Sequence, residues 1–125
     1  MKGILLTLTV FATSLSITPS YATGTGNELL SECTSAIRYL DEGQGKDHFG
    51  IGHCLGLIQG IRDTLDLFSY AHPESGLKAC IPTQVTTMQN IRVVVDYLQK
   101  NPDKLHQDTI VLTLIALREG FPCDK

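Results

Sequence analysis

Four cysteines and four histidines carry most of the chemistry available to this chain. The cysteines are Cys33, Cys54, Cys80 and Cys123; the histidines are His48, His53, His72 and His106. Such a set suits thiolate catalysis, metal coordination or disulfide cross-linking. A catalytic thiolate needs a free cysteine activated by its neighbours. An even number of cysteines downstream of an export signal points instead to two bridges, which leaves no thiol for catalysis. For a metal, Asp47-His48 and His53-Cys54 are the nearest grouping. Their spacing matches no common structural zinc pattern, and a bridge claims Cys54. No nucleophile elbow, glycine-rich phosphate loop or His-Glu-x-x-His motif occurs. Arg38, Asp63 and Asp66 read as a solvated helix face. The expectation is a protein with no catalytic residue, no metal site and no cofactor.

Met1 to Ala22 have the form of a cleavable signal peptide (1–22). Lys2 precedes an uncharged apolar stretch reaching Ile17, Pro19 breaks it, and Ser20-Tyr21-Ala22 offers a cleavage site. The apolar run is short for a bilayer span, and no later stretch is long enough for one. Export and a single domain over 23–125 are therefore expected. The formal net charge is −3, and loss of Lys2 makes it −4. A mildly acidic chain without a basic run is a poor ligand for nucleic acid or anionic lipid.

The elements that must position these residues are helical. Leu29, Leu30, Cys33, Ala36, Ile37 and Leu40 recur at three- and four-residue spacing and predict a helix over 27–41. Thr25 and Glu28 form a capping box before it, and Gly43 follows its end. A second helix is predicted over 50–68, with Ile51, Cys54, Leu55, Ile58, Ile61, Leu65 and Phe68 as its core stripe. A third is predicted over 86–100, with Thr86 and Gln89 as its capping box. Val93-Val94-Val95 is a competing strand signal, outweighed by the longer helical stripe around it. Asn101-Pro102 ends this helix and can restart the chain. A fourth helix opens at His106 or Asp108, with Gly120 as its left-handed cap and Pro122 beyond. The fold class is all-α, a small disulfide-stapled bundle of four to five helices.

Four cysteines allow three pairings. The short connection between the third and fourth helices makes them antiparallel neighbours, which brings Cys80 near Cys123. The first two helices pair likewise, and Cys33 and Cys54 face each other. Two further features call for partners. Gly52, Gly56 and Gly60 repeat every four residues, although each glycine weakens an exposed helix by about 1 kcal/mol. A close backbone approach explains them. Tight packing inside the monomer is the simpler form; a homodimer contact is the other. The connection over 69–79 carries Tyr70, His72, Glu74 and Leu77, with Cys80 anchoring its end. These four are candidate partner-binding residues, since an anchored tyrosine offers contact area at low entropic cost.

Cys54, Gly56, Gly60 and Asp63 resemble a C-x-G-x-x-x-G-x-x-D helix, and Cys80-Ile81-Pro82 a C-x-P step. Gln89, Val94-Val95, Tyr97-Leu98, Pro102 and Leu105 follow in the matching order, and Ala116-Leu117 and Phe121-Pro122-Cys123 match the ending. Over 33–123 the chain thus resembles the Rap/Tai family of type VI secretion immunity proteins. The resemblance implies a small helical periplasmic protein, often dimeric, that binds a cognate peptidoglycan amidase effector and blocks its cleft. A small periplasmic stress chaperone without an enzyme target is the alternative. An enzyme is not expected.

Overall fold

The computed structural model describes residues 24–123, so the predicted signal peptide lies outside the described residues. Its elements are α1 (Gly26–Glu42), α2 (His48–Ala71), α3 (Thr87–Lys100), a 3-10 turn (Pro102–Lys104) and α4 (Thr109–Gly120). The all-α expectation holds, with four helices and one short turn. α1 packs on α2 and α3, and α4 closes against α3.

α1 starts where its capping box places it. The Thr25 N–H donates to the Glu28 carboxylate at 2.6 Å, and Glu28 N–H returns to the Thr25 hydroxyl at 3.5 Å. Two of the donors that every helix start leaves unpaired are thereby satisfied. Leu29, Cys33 and Ala36 point inward, wholly buried. The helix ends at Gly43, whose φ of 67° is left-handed, as expected of a glycine there. The Val93–Val95 run is helical. Thr86 and Gln89 cap it, and Val94 and Val95 are buried in the core. Tertiary burial outweighs the small helical penalty of β-branched residues.

Four expectations need correction. α2 is longer than 50–68 at both ends. At its start the Asp47 carboxylate accepts from Gly50 N–H at 2.9 Å; at its end His72 N–H donates to Phe68 O at 2.8 Å, just before Pro73. Tyr70 therefore sits in the last turn of α2 rather than in a loop. Phe68 leaves the expected core stripe and is 40% exposed, because the bundle no longer covers α2 there. Gly120 is not a left-handed cap; among the described residues only Gly43 has positive φ. A Cβ at Gly120 would strike Val93 Cγ1, so this glycine serves the close approach of α3 and α4. Of the two predicted starts for α4, Asp108 is the cap: its carboxylate accepts from Ile110 N–H at 2.8 Å and Val111 N–H at 3.3 Å.

The ends of the bundle are tied across the chain. Gly26 N–H donates to Gln107 O and Asn27 N–H to Leu105 O, both at 3.0 Å, and Thr109 N–H donates to Gly24 O at 3.1 Å. Gly26 is buried there, with Leu105 backbone atoms 3.1 Å from where its Cβ would stand. The bridges pair as expected. Cys33–Cys54 joins α1 to α2, with Cα atoms 5.3 Å apart, and Cys80–Cys123 joins the 72–86 connection to the end of α4 at 5.0 Å. No helix among the described residues is long and apolar enough to cross a membrane.

Candidate functional site

Several of the side chains that suggested metal or catalytic chemistry are engaged otherwise. Cys54 is bridged, and Asp47 caps α2. His53 Nδ1 meets the Glu32 carboxylate at 2.7 Å, next to the Cys33–Cys54 bridge. His48 packs its ring edge-on to Tyr39, with centroids 5.8 Å apart. Among the described residues no three metal-ligating side chains come together. Asp63 accepts from Gln59 Nε2 at 2.8 Å, and no ion pair among the described residues joins Arg38 to Asp63 or Asp66.

One face of α2 is left uncovered by the other helices. Positions 49, 52, 56, 60, 63, 67 and 70 step by three or four residues, so they share a stripe about 32 Å long. Phe49 is 83% exposed at one end, with Leu67 at 66% and Tyr70 at 89% at the other. Gly52, Gly56 and Gly60 lie between them, and nothing stands within 4 Å of a Cβ added at any of the three. The simpler expectation, tight packing inside the monomer, is thus overturned: the core stripe of α2 lies on its other side. Large exposed apolar side chains flanking a bare backbone form a shallow saddle. Phe49 and Leu67 were missed from the sequence, although their register with the glycines carried the signal.

The candidate partner-binding residues divide between two elements. Tyr70 is fixed by the helix. His72, Glu74 and Leu77 follow on the connection, where His72 Nδ1 stands 3.5 Å from the Glu74 carboxylate. Both partners of that pair are exposed, so it orients the turn and adds little stability. The His72 ring also packs on Phe68, with centroids 5.2 Å apart. Leu77 is 43% exposed on the connection. Ala79 and Ile81 are buried on either side of Cys80, and Cys80 N–H donates to Phe121 O at 2.9 Å. The connection is therefore pinned at its far end while its tip stays in solvent. Such an arrangement suits recognition of a protein surface: aromatic and aliphatic side chains on a rigid frame lose little freedom on binding.

The chain matches the model of the Rap1a immunity proteins over residues 25–123, from the cap of α1 to the last bridging cysteine. No curated protein and no solved structure gives a significant match. With the match covering nearly the whole helical domain, the chain belongs to the Rap1a immunity protein family.

Proposed function

We propose that the protein is exported and acts in the periplasm by binding, without turnover, a peptidoglycan amidase effector of a type VI secretion system and blocking its cleft. Family membership carries this reading, because an immunity protein works by binding an effector. The exposed end of α2 with the connection behind it supports the surface. Tyr70, His72, Glu74 and Leu77 contact the enzyme, and Tyr70 is the large anchor among them. The bare stretch at Gly52, Gly56 and Gly60 supports a homodimer in the same reading, with α2 of a second copy crossing there. Its C-terminal end stays free for the effector.

The test is co-purification with the secreted hydrolase encoded beside this protein, together with survival of cells that export that hydrolase to the periplasm. A complex and protection are expected. Tyr70→Ala should weaken the complex about tenfold or more while leaving the melting temperature unchanged, since the side chain supports no core. No complex and no protection would defeat the proposal.

A further inference from the structure

The two bridges differ in their surroundings. Cys33 and Cys54 are fully buried between α1 and α2. Cys80 is exposed and Cys123 half-buried, at the seam between the connection and the end of α4. Beside this second bridge lies an open groove of about 380 Å³, lined by Lys78, Ile115, Arg118, Glu119, Pro122 and Cys123. Thiol–disulfide exchange requires a thiolate to reach one sulfur and a thiolate to depart from the other. The buried bridge allows no approach until the bundle opens.

We propose that Cys80–Cys123 is a thiol-exchange site for an external dithiol, and that Cys33–Cys54 is the permanent staple. The dithiol's thiolate bonds to the Sγ of Cys80, the more exposed residue of the pair, as the Cys80–Cys123 bond breaks, and the electron pair departs on Cys123 Sγ. The second thiol of the reagent, having lost its proton, displaces Cys80 Sγ. The dithiol ends as a disulfide, and the bridge ends as two thiols that take up the two protons released. Lys78 and Arg118 line the groove with Cys123, two cations against the one carboxylate of Glu119. Their charge favours the departing Cys123 thiolate, and a more stable leaving thiolate leaves faster. Opening loosens only the solvent-facing part of the connection, 72–78. Ala79 and Ile81 stay buried, the four helices keep their packing, and the α1–α2 bridge is untouched.

The proposal does not depend on the identity of any effector. The test treats the native oxidised protein with dithiothreitol, quenches at intervals by alkylation and maps modified cysteines by peptide mass. Cys80 and Cys123 should be labelled together at least about tenfold faster than Cys33 and Cys54, with the helical circular dichroism retained at 25 °C. Equal rates, the reverse order, or loss of helix as Cys80 and Cys123 appear would overturn it. A Lys78→Gln, Arg118→Gln variant should open this bridge several-fold more slowly while the response of Cys33–Cys54 stays the same. An unchanged rate would remove the leaving-group assignment to Cys123.

Discussion

Asn90 shows how much a single side chain can cost in this core. It is fully buried in the first turn of α3, yet neither amide atom has a hydrogen-bond partner among the described residues. A buried, unpaired polar group costs roughly 1–3 kcal/mol. Asn90→Leu keeps the branch at Cγ and removes both polar atoms. The variant should be more stable by about 1 kcal/mol, read as a rise in the urea midpoint without a change in slope. A lowered midpoint would mean that the amide is engaged in the folded protein or that the extra volume strains the core. Thr109 and Thr113 are equally buried but behave differently. The Thr113 hydroxyl donates to Thr109 O at 2.7 Å, so its burial carries no unpaired donor.

At the scale of the element, α2 carries both the staple and the proposed contacts. Its inner stripe, from Ile51 through Cys54, Ile58 and Ile61 to Leu65, packs into the bundle. Its outer stripe has glycine in the middle, and the openness there decides what a larger residue does. A Cβ at Gly56 has no neighbour within 4 Å in the monomer, so Gly56→Leu should fold with undiminished thermal stability. In size-exclusion chromatography with light scattering, the proposed homodimer of the parent should be lost and the variant should run as a monomer. Unfolding of the variant would return the stripe to the interior; an unaltered dimer would move the contact off this face. The parts of α2 that escaped prediction were its ends. The Asp47 cap and the run to Pro73 extend the helix past the hydrophobic periodicity used to find it, and Tyr70 changed from loop to helix with them.

At the scale of the molecule, a small domain relies on cross-links because its core is modest. The chain-entropy model gives about 3 kcal/mol for closing the loop between Cys33 and Cys54, against a total of about 5–10 kcal/mol for such a domain. Replacing both by alanine should lower the melting temperature by more than about 10 °C. A melt unmoved by the double change would mean that helix packing alone holds α1 on α2. The backbone clasp from Gly24–Asn27 to Leu105–Thr109 is the noncovalent counterpart at the other end of α1.

The all-α class, both capping boxes, the place of Gly43 at the end of the first helix and the two cysteine pairings were legible in the amino-acid order alone. Each depends on residues a few positions apart, or on helix ends that a short connection forces together. Thr25 finds Glu28, and Thr86 finds Gln89, whatever the rest of the chain does. Tertiary structure alone decided which glycines face a neighbour. Gly120 meets Val93 on another helix, while Gly52, Gly56 and Gly60 meet nothing. It also decided that one bridge is buried and the other lies in reach of solvent. Periodicity tells which residues share a face, but whether that face is covered depends on where distant helices pack.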